Sequence, residues 1–408
     1  MQRIEEEINN VTNQLCNTTL LKELLNPDDL KSYLLEGISQ ILNQATTSER
    51  QLYLNSNPDD SGNGRAPVRQ LKLGTTPIDI QIPRTRSGNF YPSFLTKYER
   101  MIPGDYETIL LNILLNAKNF SAVKRTIKAL NLPYRPDELD QLILEIQEEA
   151  NLFFSRQLSC DWLTIFIDAK CIDMINESKK VHQAVVFTVV GVNTECKKEI
   201  ISVHLFWGNE TVDLWKKVLS DLRNRGAIRV LSIVTDDFSG LCPVVKSLFP
   251  DSDHQLCHVH LLRNAHRHLS KEDYFQFKVS LDDICLASDF ESAKQSFLDL
   301  IYSLEENHKD YAKHLRKRAD QYCACVKYPR DLRPHIRSTN PVEGINNRIE
   351  IIKRCSGGLF HSKREFLVKL KIMVDSLHHK WRTPTPKIKA HSHTLANMFR
   401  IRFESDFI

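Results

Sequence analysis

Apolar and polar positions follow two rhythms along the chain, and the change between them divides it. Up to about residue 55 the apolar positions recur at helical spacing, in Leu20, Leu21, Leu24 and Leu25 and again in Leu30, Tyr33, Leu34, Ile38 and Ile41. Residues 55–66, NSNPDDSGNGRA, have loop composition. Residues 68–83 predict a short strand pair, with alternation clearest in PIDIQIP (77–83), and a basic, aromatic-bearing turn, PRTRSGNFYPSF, follows at 83–94. Helices are predicted across 105–151. From residue 162 the rhythm shortens. WLTIFID (162–168), VHQAVVFTVVGV (181–192), EIISVHLFW (199–207), IRVLSIVTD (228–236) and HQLCHVH (254–260) read as five strands. Helices are expected at about 210–225, after Ser239 and after the fifth strand. Three successive strands followed by helix–strand alternation predict a mixed α/β sheet. Residues 270–330 carry helical spacing without strand alternation, and a further helix starts near Asn340. The last 20 or so residues, beyond TPTPK, read as a basic tail ending in short alternation.

The 408 residues are enough for two or three domains. With 41% hydrophobic and 26% charged residues, the composition is that of a soluble globular protein. No apolar run reaches the roughly 18 residues of a membrane span, and the opening MQRIEEEINN does not read as a signal peptide. The 10 scattered cysteines read as reduced thiols of a cytosolic or nuclear protein. The net charge of +4 conceals an asymmetry: from Lys309 onward there are 22 Lys+Arg against 9 Asp+Glu. Such a basic C-terminal quarter fits a polyanionic partner, nucleic acid first, or a solvated basic face.

Three acids stand out. Asp168 and Asp236 each close an apolar run, and ligand sites in α/β sheets gather beyond strand ends. Two close carboxylates repel one another, and a divalent cation removes that repulsion. An Asp after a strand is equally an ordinary turn residue or helix cap. Glu343 lies in STNPVEGINNRIEIIKR (338–354), where Asn340 as N-cap, Pro341 at the first helical position and Glu343 three residues on make a capping-box pattern. The stripe Val342, Ile345, Ile349 and Ile352 predicts the buried face of that helix.

Basic candidates for DNA contact are Arg84 and Arg86 in the aromatic turn, Lys124 and Arg125 in a helix capped by Ser121, Arg263 and Asn264 opening the helix after strand five, and Arg348, Lys353 and Arg354 beside Glu343. The helix at 136–150 is acidic, so the pair 121–130 and 136–150 reads as a helical hairpin more readily than as a helix-turn-helix. Cys257 and His260 resemble half of a zinc site, with Cys323 and Cys325 as an imaginable other half, although the CxC spacing is tight. No phosphate-binding loop of the G-x-x-x-x-G-K-[ST] type occurs, so no nucleotide triphosphate requirement is expected.

The ordered set TDDFSGL, FPDSDHQLCHVHLLRN (249–264) and RSTNPVEGINNRIEIIKRCSGGLFHS (337–362) resembles the Mutator-like transposases of bacterial and archaeal insertion sequences. NGR (63–65), PRTRSGNFYPSF and Ile167-Asp168-Ala169 extend the likeness, which runs from about residue 60 to the closing LANMFRIRF. The sequence departs from the family's habit at Asp237-Phe238-Ser239 and at Pro341-Val342. The resemblance implies a ribonuclease-H-like mixed sheet interrupted by a helical insertion, plus a mainly helical N-terminal DNA-binding region. The implied division is 1–155, 156–264, 265–335 (insertion), 336–380 and a basic tail, 381–408. It implies Asp168, Asp236 and Glu343 as metal-binding catalytic residues for two Mg²⁺ or Mn²⁺ ions, with Asp237 supporting or solvated and Ser239 capping the next helix. Cys257 and His260 become a supporting motif near that site, Cys257 packing in the core and His260 orienting a carboxylate or phosphate. The implied partners are the element's terminal repeats, target DNA and a second copy of the chain, in a cytoplasmic, nucleoid-associated setting. The rival expectations are a domesticated relative that only binds DNA and a ribonuclease-H-like nuclease that cleaves without joining.

Overall fold

In a computed structural model, residues 27–73, 76–93, 95, 105–130 and 136–403 are described. The stripe at Leu20, Leu21, Leu24 and Leu25 lies outside them. The chain divides into two units, residues 1–113 with 124–136 and residues 114–123 with 137–408.

The first unit begins with a long helix, α1 (Pro27–Ser56), and two small antiparallel ribbons. Strands β2 (Arg69–Leu73) and β3 (Thr76–Ile80) form the expected hairpin, while β1 (Gly62–Arg65) pairs with β4 (Pro83–Thr85) where a loop was expected. Ser87 explains the difference: its amide and hydroxyl donate to the Asp60 carboxylate, which brings the two short strands together. Leu71, Ile78, Ile80, Ile82 and Leu95 are buried, with Leu35, Ile38 and Leu42 of α1 packed against them. Helices α2 (Asp105–Asn116) and α3 (Phe120–Ala129) follow along the chain, each with residues in both units. Asn119, and not Ser121, caps α3, its side-chain oxygen accepting from the Ala122 amide at 2.9 Å.

The second unit is built on a five-stranded sheet. Helix α4 (Pro136–Ser155) leads into β5 (Asp161–Ile175), β6 (Val181–Asn193) and β7 (Lys198–Trp207), then α5 (Val212–Asn224), β8 (Arg229–Thr235), α6 (Leu241–Leu248) and β9 (Asp253–Leu256). The strand order is β7-β6-β5-β8-β9, with β6 antiparallel to both neighbours and β5, β8 and β9 parallel. The central strands are apolar on both faces because both faces are covered. On one side Trp162, Ile165, Ile167 and Ile233 pack with Trp215, Leu219 and Leu222 of α5 and Leu241 and Val245 of α6. Gly191 belongs there: a Cβ would lie 2.4 Å from the Trp162 ring. On the other side Leu163, Phe166, Leu231 and Val234 meet the stripe Val342, Ile345, Ile349 and Ile352 of α13 (Asn340–Cys355) and residues of α14 (Lys363–Lys380).

Helix α7 (His258–His268) follows β9 directly, so the CHVH end of the expected fifth strand is a helix start. Next come α8 (Lys271–Ile284), α9 (Phe290–Leu304), α10 (Lys309–Arg316), α11 (Ala319–Cys323), two 3₁₀ turns (Ala324–Lys327 and Arg330–Leu332) and the single-turn α12 (Arg333–Ile336). Helices α15 (Pro386–Ala390) and α16 (Ser392–Phe403) close the described chain. The expected basic tail is therefore helical up to Phe403: Leu395, Phe399 and Phe403 recur every fourth residue and are buried, and Arg402 pairs with Asp253 at 2.6 Å. No described helix is long and apolar enough to cross a membrane.

Candidate active site

The sheet brings Asp168 and Asp236 side by side. The parallel pairing of β5 with β8 ends at Phe166 opposite Val234, and each acid stands two residues further along its own strand. Asp236 follows the end of β8 at Thr235. Asp168, by contrast, does not end a strand. β5 continues through Ala169–Ile175, paired with β6, and only its partner β8 has stopped. The polar KCID stretch ends the apolar run without ending the strand, because beyond this point one flank of β5 is free of β8.

Asp168 is buried and faces Thr188 of β6 across the ladder. Its Oδ2 accepts from the Asn346 side-chain amide at 2.8 Å, and the Asn346 Oδ1 accepts from the Thr188 hydroxyl at 3.0 Å. The hydroxyl therefore fixes which way the amide points. Asn346 lies three residues beyond Glu343 on α13. Lys170, on the same side of β5 as Asp168, pairs with Glu350 of that helix at 3.2 Å and helps seat it.

Glu343 does not cap its helix. Helix α13 begins one residue earlier than expected, with Thr339 at the cap position and no side-chain cap bond. The Thr339 hydroxyl and amide both donate to Cys257 Sγ at 3.3 Å. Without a capping role, Glu343 turns to Arg263 of α7, with Nη1 and Oε1 2.8 Å apart. Its charge reaches Asp168.

Asp236 accepts from the Asp237 amide at 2.7 Å and has His260 Nδ1 3.6 Å from its Oδ1. His260 Nδ1 is buried and otherwise unpartnered. Burial opposes charge on His260, but its hydrogen bond to Cys257 and the carboxylates of Asp236 and Asp168 outweigh it and raise its pKa to about 9. Burial pushes Asp168 the other way for an acid, up to about 6; His260 lowers it, while Asp236 and Glu343 raise it. A fourth acid, Glu210 before the Thr211 cap of α5, accepts from Trp215 Nε1 at 2.6 Å. Burial raises its pKa, and the charge of Asp236 adds to the shift. The charges of Asp236 and Glu343 thus both reach Asp168, without the three acids forming a tight ring. Among the described residues, the His/Cys/Asp/Glu set with all ligand atoms within 4.8 Å is a different one, His258, Cys285 and Cys325.

Asp237 has the opposite surroundings. Only 4% of its side chain is exposed, and it accepts from His314 Nε2 at 2.7 Å, Arg318 Nε at 3.0 Å and the Tyr322 hydroxyl at 3.0 Å. Ser239 does not cap α6. Gly240 holds the cap position at φ +85°, a left-handed turn that suits glycine.

The candidates for DNA contact separate into exposed and engaged ones. Asn264, Arg348 and Arg354 are exposed, Arg354 holding Glu350 only at 3.8 Å. Lys353 is half-buried and bound to Glu350 at 3.1 Å, and Arg263 is taken by Glu343, so neither is a free phosphate donor in this state. Arg84 and Arg86 are exposed in the first unit, Arg84 on β4; Arg125 is exposed on α3, where Lys124 is half-buried. The sequence reading missed Asn346, Thr188 and Glu210. Asn346 was open to discovery: it is the polar residue at i+4 from Val342, inside a stripe predicted to be buried.

A model of the family described as Transposase, Mutator family, matches residues 6–384. The transposase for insertion sequence element ISRM3 of Rhizobium meliloti (strain 1021) is 25% identical over 386 residues, covering 92% of this chain and 93% of that protein. The transposase for insertion sequence element IS1201 of Lactobacillus helveticus is 22% identical over 351 residues, covering 82% and 91%. Among solved structures, a Drosophila P element transposase strand transfer complex matches 67% of this chain and 78% of its own at 16% identity and a TM-score of 0.26.

Proposed function

Because the chain belongs to the Mutator family of transposases, we propose that Asp168, Asp236 and Glu343 form the catalytic centre of a DDE-type DNA transposase. It would cleave DNA at the ends of its element and join the freed 3′ end to target DNA. The observation that carries this reading is the convergence of three carboxylates: strand register sets Asp168 of β5 beside Asp236 at the end of β8, and Glu343 of α13 is near enough for its charge to reach Asp168. The strand order, with the first strand central and the second antiparallel, supports a ribonuclease-H-like core.

The donors fit a hard divalent cation. They are carboxylate oxygens, and Asp168 is buried beside two further negative charges. Asp168, Asp236 and Glu343 would hold Mg²⁺ or Mn²⁺, which when bound supplies a Lewis acid for the attacking and leaving oxygens of phosphoryl transfer. The chain's own residues prepare the site. Asn346, aligned by Thr188, holds one Asp168 oxygen and leaves the other available. His260 keeps a positive charge beside Asp236. Arg263 restrains Glu343, and its exposed guanidinium can exchange that carboxylate for a DNA phosphate, releasing Glu343 as the substrate arrives. Arg348, Arg354 and Asn264 are placed to follow the phosphate backbone. Arg84, Arg86, Lys124 and Arg125 are the candidates for contacting the element's ends. Bringing two ends together requires at least two chains.

The test uses full-length protein, the DNA flanking its own gene, and Mg²⁺ or Mn²⁺. Nicking at the repeat boundary and joining to a plasmid, both absent with Asp236→Asn, are expected. Nicking without joining would favour a nuclease, and tight binding without nicking would favour a protein that only binds DNA.

A further inference from the structure

The half-site suggested by Cys257 and His260 does not close, but a tighter cluster forms one residue away. His258 opens α7, Cys285 follows the end of α8, and Cys325 lies in the first 3₁₀ turn. The three are 4%, 5% and 1% exposed, and their ligand atoms all lie within 4.8 Å of one another. Cys285 Sγ is 3.6 Å from His258 Nδ1. With Zn–S about 2.3 Å and Zn–N about 2.0–2.1 Å, the S···N edge of a tetrahedral site is also about 3.6 Å.

The imidazole is set in the ligating tautomer. His258 Nε2 lies 2.7 Å from the Tyr322 carbonyl, which can only accept, so the proton sits on Nε2 and Nδ1 presents its lone pair to the thiols. Metal-bound histidines are commonly oriented by such a second bond. The backbones that carry the ligands are also held. His258 N donates to the Arg337 carbonyl at 2.9 Å, Cys325 N donates to Gln255 Oε1 at 2.6 Å, and the Cys285 carbonyl accepts from Arg333 Nη1 at 2.8 Å. A core that needed only apolar filling would not require two thiols and an imidazole converging from three segments.

We propose that His258, Cys285 and Cys325 bind a structural Zn²⁺ ion. Each ligating thiol gives up its proton on binding. Sulfur and imidazole donors select zinc, whereas the carboxylate site selects Mg²⁺ or Mn²⁺, so the two sites are chemically distinct. The ion would fasten the helices between β9 and α13 to the start of α7, two residues before His260 and five before Arg263. The inference does not depend on the catalytic assignment.

The test is the metal content of full-length protein purified without chelator or a nickel column. About one zinc per chain is expected, unchanged in an Asp168→Ala/Asp236→Ala double variant and lost in Cys285→Ser/Cys325→Ser. Cobalt exchanged into the wild-type protein should give the intense absorption of thiolate ligation. Cys325→His, which keeps a ligand, should retain the metal with a weaker band; this guards against a serine variant that fails to fold. A wild-type chain that holds no zinc and takes up no cobalt overturns the proposal. So does a Cys285–Cys325 disulfide in the native protein, or zinc that departs with the carboxylate variant or stays in the cysteine double variant.

Discussion

Asp236 and Asp237 are neighbours in sequence and opposites in surroundings. Asp237 is enclosed and accepts from a histidine, an arginine and a tyrosine that come from the helices after β9. Asp236 has 38% of its side chain exposed, one backbone amide as donor, and a histidine at 3.6 Å. A carboxylate gripped by three side-chain donors is holding the fold together. One left short of partners, beside a buried acid, is available for a ligand. The difference rests on bond saturation, which residue type alone does not reveal.

Asp236→Asn is expected to lower strand cleavage by a factor of about 10³ or more, since it removes an anionic metal ligand, while leaving the urea midpoint near wild type. A variant that cleaves at even a tenth of the normal rate would refute the assignment. Asp237→Ala should do the reverse in kind, costing about 3 kcal/mol of stability by stranding Arg318 and the Tyr322 hydroxyl. An unchanged denaturation curve would show that the network carries little.

Asp168 sharpens the contrast through pH. Its pKa rises from 3.8 to about 6 on folding, so the unfolded chain releases this proton first. The metal-free protein therefore loses stability as pH rises from about 4 to about 6, by about 3 kcal/mol at about 1.4 kcal/mol per unit. Asp168→Asn should remove that loss: more stable than wild type above pH 6, equal to it below pH 4, and inactive throughout. Equal stability at pH 7, measured in chelator, would contradict the burial argument. The smallest effect is expected from Thr188→Val, which removes the hydroxyl that aligns Asn346. It should cost about 1 kcal/mol and slow cleavage modestly, and a rate equal to wild type would free Asn346 from its positioning role.

The sheet was legible because its strands are covered on both faces and so appear as continuous apolar runs. Its boundaries were less so. β5 runs on past Asp168 because pairing with β6 sustains it where hydrophobicity no longer marks it. The last helix was mistaken for alternation because LANMFRIRF is short and its basic residues interrupt the apolar positions. Capping failed for a tertiary reason: Thr339 spends its hydroxyl on Cys257, from a segment 82 residues earlier, so Glu343 was left for Arg263. Convergence of Asp168 with Asp236 follows from strand register, which a sequence pattern does not supply. Asn346 could have been found from helical spacing; Glu210 could not, because its position depends on how α5 lies against the sheet.

A single peptide unit, about 3.8 Å between Cα atoms and nearly rigid in its plane, separates Asp237, gripped by α10 and α11, from the acid facing the site. Only the backbone dihedrals on either side of that plane lie between them. A tilt of those helices would therefore carry the backbone of Asp236 with it, as a hinge leaf follows its pin.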